Sequence, residues 1–215
     1  MLHDVVLSGH GFRLEPVAPE HAETLAGLVD EAMWSGMSVP MPFGVAGMAE
    51  LVAATRAAPD LTGFVVRAVD ADGRPGAVLG STAFRDLSLV DRRVEIGRTF
   101  YARTAWGSLV NPVTKWLLLR HAFETWDVHR VGFRVDARNA RSLGAMRRLG
   151  AYEEGVMRGH RAAPDGTRAD SVMFSVLAPE WPGVEVGLLE RITAPRVVPV
   201  LAPALGGLAQ PLAAS

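Results

Sequence analysis

The sequence contains no cysteine, and this absence excludes several classes of chemistry at once. Disulfide bonds, thiolate nucleophiles and cysteine-ligated metal sites all require that residue. The six histidines show no spacing typical of metal ligands, so no metal site is expected. No run of 18 apolar residues is present, and the first thirty residues do not resemble a signal peptide. We therefore expect a cytoplasmic protein that does not enter a membrane.

An excess of charge of either sign is also missing. The net charge is −1 at pH 7 and the isoelectric point is about 6.6, so no basic field is available to hold nucleic acid. Of the 215 residues, 49% are hydrophobic and 21% are charged, which is ordinary for a globular protein with a substantial core.

Hydrophobic periodicity predicts a mixed α+β protein. The predicted strands are residues 5–14 with a break at 8–11, 63–69, 77–84, 94–100, 131–135, 152–161 and 168–177. The predicted helices are one that begins at Pro19, and residues 48–57, 112–126, 140–149 and 181–192. Residues 33–47 are rich in Gly, Pro and Met and are predicted to form a long loop. We expect residues 1–192 to form a single domain, followed by an Ala/Pro-rich tail at 193–215.

One strand–loop–helix unit is a candidate anion site. The strand that ends at Phe100 leads into a loop, and a helix follows. The loop residues are Trp106, Gly107, Ser108, Leu109, Val110 and Asn111. Free backbone N–H groups at a helix start, together with the helix dipole, attract phosphate groups. Many units of this type bind nothing, so this feature alone does not decide the function.

An ordered set of motifs follows the loop. It comprises Asn139-x-x-Ser142, a helix, Leu149-Gly150-Ala151 and Glu154-Gly155, and it is preceded by Glu95-Ile96-Gly97 on the strand. On these motifs, residues 8–192 resemble the GNAT N-acetyltransferase superfamily, and within it the RimJ/RimL-like branch. The resemblance implies a central, mostly antiparallel sheet with one splayed pair of parallel strands, flanked by helices.

The resemblance also implies acetyl-CoA as cosubstrate and an amine as acceptor. Pantetheine would lie between the splayed strands 94–100 and 131–135, beside Phe100 and Asn139, and the pyrophosphate would rest on the loop 106–111. Leu109 and Asn111 stand where the family loop usually has small residues. This departure keeps open a non-catalytic acyl-CoA-binding or sensing module as an alternative.

The expected reaction is direct attack of an amine on the thioester. A lysine-like amine with a pKa of about 10.4 is almost entirely protonated at pH 7, whereas about a tenth of an α-amine is neutral. Glu95 is the candidate base, acting through water, and Ser142 is the candidate partner of the leaving thiolate. Met146 stands where the superfamily often has a tyrosine. Each candidate also has a simpler reading: Glu95 as a solvated strand carboxylate and Ser142 as a helix-start hydroxyl.

The acceptor itself is not identified by the sequence. Trp34, among the methionines of residues 33–48, and His160, on a hairpin strand, are the candidate substrate contacts. Protein N-termini and small-molecule amines both stay open, as does a homodimer formed through the apolar tail. A serine hydrolase is disfavoured because no Gly-x-Ser-x-Gly motif is present.

Overall fold

A computed structural model of the chain describes residues 3–37, 39–163 and 166–195. The strands are β1 Leu7–Gly9, β2 Phe12–Pro16, β3 Leu61–Val69, β4 Pro75–Ser88, β5 Arg93–Tyr101, β6 Arg130–Asp136, β7 Tyr152–Ala162 and β8 Arg168–Leu177. The helices are α1 Ala22–Ala26, α2 Glu31–Trp34, α3 Gly44–Ala57, α4 Val110–Arg120, α5 Ala140–Leu149 and α6 Trp181–Thr193.

The strands of these ranges form one sheet in the order β1-β2-β3-β4-β5-β6-β8-β7. Its neighbours pair antiparallel, with β5 and β6 as the single parallel pair among the described strands. A parallel pair needs a crossover connection, and α4 supplies it. The predicted α+β class, with a mostly antiparallel sheet and one parallel pair, is confirmed.

Both faces of the sheet are covered by helices. Neighbouring residues of β3 show this directly, because Phe64 and Val66 pack into one hydrophobic cluster while Val65 packs into the other. The larger cluster includes side chains of α4, α5 and α6. The smaller cluster includes side chains of α1, α2 and α3. The smaller cluster also takes Val78 of β4 and Phe100 of β5, whereas the apolar side chains of β6 pack into the larger cluster alone.

The prediction of a continuous loop over residues 33–47 is wrong at both ends. Helix α2 includes Met33 and Trp34, because the Asp30 carboxylate accepts a hydrogen bond from Met33 N at 2.9 Å and caps the helix. Helix α3 begins at Gly44, four residues earlier than predicted.

The long helix also differs from its predicted bounds. It begins at Val110 instead of residue 112, and its last turn, His121–Thr125, is π-helical. At the other end of the chain, α6 closes the larger cluster with Trp181, Leu188 and Ile192. Residues 196–215 of the predicted tail lie outside the described residues. Among the described helices, none is long and apolar enough to cross a membrane.

Candidate active site

The parallel strands β5 and β6 pair over only three residues at their beginning. The last pair joins Glu95 to Gly132, and beyond it the two strands separate. Their outer edges continue to pair with β4 and β8. The inner edges therefore present backbone N–H and C=O groups that need partners, which makes the gap a slot for a strand-like ligand that carries amides.

A β-bulge accounts for the separation. Ala83 of β4 pairs with Gly97, whereas Ser81 pairs with Phe100, so β5 has one extra residue in this interval. Arg98 at the bulge has a φ of 50°, in the left-handed region. A bulge bends its strand and increases the local twist, and here it turns β5 away from β6.

The loop after β5 prepares the start of α4. Gly107 has a φ of 72°, a conformation that glycine adopts without the steric cost of a side chain. Leu109 has φ −76° and ψ −9°, which any residue adopts, so its Cβ causes no backbone strain. The Ser108 hydroxyl accepts a hydrogen bond from Val110 N at 3.2 Å. Within the loop 106–111, the residue with a left-handed backbone conformation is thus the single glycine.

Trp106 fixes this loop against the sheet and is bordered by cations. Its Nε1 donates to Tyr101 O at 2.9 Å. The guanidinium of Arg141 lies 3.5 Å from the Trp106 ring centroid, and that of Arg103 lies at 4.8 Å. Arg103 also forms an ion pair with Asp30, whereas Arg141 has its pKa lowered by burial and by the charge of Arg103. Arg141 pairs with no described carboxylate, so its guanidinium adds positive charge beside a helix start and favours a phosphate-bearing ligand.

Asn139 lies at the start of α5, and its side chain lies against Gly36 in the segment that follows α2. Its Oδ1 accepts a hydrogen bond from Ser142 N at 3.0 Å, which confirms the predicted N-cap. A Cβ at Gly36 would lie 2.5 Å from Asn139 Nδ2, so the glycine permits this close approach. Within the described ranges Nδ2 donates to no other residue, and it is available to a ligand.

A cleft of about 710 Å³ joins three of the predicted site residues. Trp34, Trp106 and Asn139 all line it, although they come from three separate parts of the chain. Trp34 is 1% exposed and donates from Nε1 to Val39 O, so it forms a wall of the cleft. Trp34 also packs on Phe100, at 5.3 Å between ring centroids, and both residues line a second, smaller cavity.

The other predicted site residues lie outside the walls of this cleft. The Glu95 carboxylate accepts two hydrogen bonds from Arg134 Nη2, at 3.0 and 3.1 Å. His160 Nδ1 lies 2.9 Å from Ser171 Oγ. The Ser142 hydroxyl has no hydrogen bond to any described residue, and only its backbone N–H is engaged by the cap.

Sequence reasoning missed an ion-pair cluster at the wall of the cleft, where Asp136 and Arg138 both line it. Arg161 of β7 bonds to the Asp136 carboxylate, and its Nη1 donates to Met37 O at 2.9 Å. Burial raises the pKa of Asp136, but the hydrogen bonds and charge of Arg138 and the charge of Arg161 outweigh it and leave that pKa below its usual value. Asp136 is the last residue of β6 and follows the apolar Val135. A charged residue at the end of a buried strand is the sequence signal that could have identified this cluster.

Comparison with known proteins places this geometry in a family context. The family model described as an acetyltransferase (GNAT) domain matches residues 12–152. A protein of T. thermophilus, provisionally assigned as an acetyltransferase, shares 32% identity, with 89% of this chain and 98% of its own covered and a TM-score of 0.79.

Two further solved structures share the fold at lower identity. A GCN5-related N-acetyltransferase from Brucella melitensis is 21% identical, with 89% of this chain and 87% of its own covered and a TM-score of 0.79. RimJ from Mycobacterium smegmatis, solved in complex with CoA-disulfide, is 19% identical, with 86% and 92% covered and a TM-score of 0.71. No curated protein shows significant sequence similarity to this chain.

Proposed function

This chain belongs to the GNAT acetyltransferase family, and from that premise we propose that it transfers an acetyl group from acetyl-CoA to a primary amine. The amine belongs to a protein N-terminus or to a small molecule, and it attacks directly within a ternary complex. The observation that carries the proposal is the separation of β5 and β6 after Glu95 and Gly132, next to a cleft lined by Asn139.

The residues at the slot suit the groups of acetyl-CoA. The inner edge of β5 and the free Nδ2 of Asn139 supply donors and acceptors for the two pantetheine amides. The start of α4, with Arg141 beside Trp106, supplies N–H groups and positive charge for the pyrophosphate. The thioester supplies the activated acetyl group. The CoA-disulfide bound by Mycobacterium smegmatis RimJ supports the same ligand class for this fold.

Two groups of the chain would handle the protons in this proposal. Glu95 would accept a proton from the incoming ammonium through water, and its side chain is 15% exposed, so water reaches it. Arg134 Nη2 donates charge-assisted hydrogen bonds to both oxygens of this carboxylate. The free Ser142 hydroxyl would donate a hydrogen bond to the leaving thiolate, and the thiol proton would come from the attacking nitrogen as the amide forms.

A non-catalytic acyl-CoA-binding module is the second candidate. It is favoured by the pairing of Glu95 with Arg134, which occupies the candidate base, and by Met146, which cannot donate a proton to a thiolate. Both candidates bind the same ligand, so binding alone does not separate them.

Two measurements on the full chain test the proposal. Calorimetry with acetyl-CoA and with CoA is expected to give dissociation constants of about micromolar order. Such constants correspond to a binding free energy of about −8 kcal/mol. Release of free thiol from acetyl-CoA is then followed while a panel of amines, including peptides with free N-termini, is offered. Thiol release that depends on an amine supports the transferase. Binding without release for every amine supports the module, and absence of binding at millimolar concentration ends both.

A further inference from the structure

Lys115 is the only lysine in the chain, beside 21 arginines. It lies on α4, and only 5% of the residue is exposed. Lysine is almost never fully buried unless it is paired, because an ammonium loses its hydration when it leaves water. A buried lysine at this position is therefore expected to have a charged or hydrogen-bonding partner.

The described residues around Lys115 do not supply a charged partner. Its Nζ lies 3.5 Å from Thr99 Oγ1, a long hydrogen bond, and Thr99 Oγ1 is already bonded to Thr82 Oγ1 at 2.7 Å. The Phe133 ring centroid is 5.5 Å away. No carboxylate of the described residues forms an ion pair with it, and burial alone lowers the pKa of Lys115 to about 7. An ammonium has three donors, and at most one of them is used here.

The position of the Lys115 nitrogen indicates where a partner would bind. Thr99 belongs to β5 and Phe133 to β6, and both residues follow the last paired position at Glu95 and Gly132. The nitrogen thus lies at the slot between the separated strands, on the side of α4. It is also close to the start of α4, because five residues of helix rise only about 7.5 Å.

We propose that Lys115 is a binding residue for the pantetheine arm of acetyl-CoA, and that its side-chain nitrogen donates a hydrogen bond to a carbonyl oxygen of that arm. The inference rests on the proposed function. A carbonyl oxygen in the slot would use a donor that no described residue uses. A compact ammonium on a flexible stem reaches into a narrow gap more readily than a planar guanidinium does, which suits a lysine at this one position.

The first test compares two ligands in calorimetry. Acetyl-CoA contains the pantetheine arm, whereas 3′-phospho-ADP is the nucleotide half of the molecule without it. Lys115→Met is expected to weaken acetyl-CoA binding about ten- to hundredfold, the range for a hydrogen bond from a charged group, and to leave 3′-phospho-ADP binding unchanged. Lys115→Gln, which keeps a donor, is expected to fall between. Thr114→Val, at the neighbouring buried position of α4, is the control and is expected to bind both ligands as the wild type does.

The ligand pair separates the outcomes. An equal loss for both ligands, or no loss for acetyl-CoA, overturns the role of Lys115 while CoA binding stands. A wild-type chain that binds neither ligand overturns the proposed function, and the role of Lys115 with it.

The second test needs no variant and so does not depend on whether a variant folds. Because the chain has one lysine, selective ¹³C labelling of lysine gives one side-chain Cε signal. Its titration midpoint is expected to rise when CoA binds, since an acceptor favours the charged form, and to stay unchanged with 3′-phospho-ADP. A midpoint that stays or falls when CoA binds overturns the proposal.

Discussion

At the scale of single residues, Asn139 uses its two amide atoms in different directions. Oδ1 caps α5 through Ser142 N, while Nδ2 lies beside Gly36 at the cleft. A cap and a ligand contact therefore coexist on one side chain. A substitution separates the two roles only if it keeps the acceptor and removes the amide.

Asn139→Ala removes both atoms. We expect a loss of about 1 kcal/mol in the free energy of unfolding, which is typical for a lost N-cap, and weaker CoA binding as well. Asn139→Ser is the matched control, because serine caps helices well but has no amide to reach the cleft. It is expected to restore the stability without restoring the affinity. Denaturant unfolding and calorimetry check this, and normal CoA binding by Asn139→Ala would leave the residue as a cap alone.

The role of Glu95 as a base is tested by a single substitution. Glu95→Gln is expected to lower the rate on a strongly basic amine by about 10²–10⁴, the usual contribution of a general base, and to leave CoA affinity nearly unchanged. The loss is expected to be smaller on an α-amine, about a tenth of which is neutral at pH 7. Steady-state rates between pH 6 and 9 test this, with partial recovery expected at high pH.

The control for Glu95 is a carboxylate beside the same two arginines, since Glu95 lies 3.6 Å from Arg85 and accepts hydrogen bonds from Arg134. Asp86 lies 3.2 Å from Arg85 and 4.0 Å from Arg134, so Asp86→Asn also removes a carboxylate from these two cations. It is expected to keep the wild-type rate. Equal losses in both variants, or none in Glu95→Gln for any amine, would show that Glu95 only balances charge.

At the scale of an element, the connection from β5 to α4 depends on one backbone conformation. Gly107 is left-handed and has nothing within 4 Å of a Cβ built on it. Substitution there meets open space, so its cost is confined to the backbone. A substitution of Gly107 is therefore expected to disturb the loop at the start of α4 through the backbone angle φ, and not through a steric clash of the new side chain.

Gly107→Ala is expected to cost about 1–2 kcal/mol in stability and to weaken CoA binding, because the loop shifts to relieve the strain. Gly73, in the turn before β4, is a matched control. It has a φ of 77° and equally open space, but it belongs to the turn between β3 and β4 and lies outside the loop at the start of α4 and outside the cleft lining. Gly73→Ala is expected to lose similar stability with unchanged CoA affinity. Thermal unfolding and calorimetry compare the two, and equal affinities would remove the loop from the binding site.

At the scale of the whole molecule, the slot depends on the helices that press on the sheet. Leu188 of α6 is 1% exposed in the larger cluster, together with Val113 of α4. Helix α6 thereby supports the crossover helix that carries Lys115. The predicted single domain over residues 1–192, and a homodimer through the tail, stay predictions.

Leu188→Ala is expected to destabilise the chain by about 2–5 kcal/mol, the range for a leucine removed from a packed core. Val186→Ala lies two residues away on the same helix, where the side chain is 57% exposed, and is expected to change stability by less than about 0.5 kcal/mol. Denaturant midpoints measure both. A similar, small change in the two variants would mean that α6 contributes little to the core.

The sequence by itself determined the fold class, the order of the strands, the family and the cap at Asn139. Each of these depends on local periodicity or on a short motif, and such signals are carried by neighbouring residues. Helix α2 was not predicted, because its start depends on a single capping bond from Asp30. Helices α3 and α4 have no side-chain cap, and they begin four and two residues earlier than predicted.

Only the tertiary structure decided which of these residues meet. The slot arises because a bulge at Arg98 separates β5 from β6, and a bulge is a relation between two strands. The pairing of Glu95 with Arg134 spans 39 residues of sequence, and the contact of Lys115 with β5 spans 16. A buried, unpaired lysine cannot be recognised from its neighbours in the chain, because burial and the absence of a partner are properties of the packed sheet and helices.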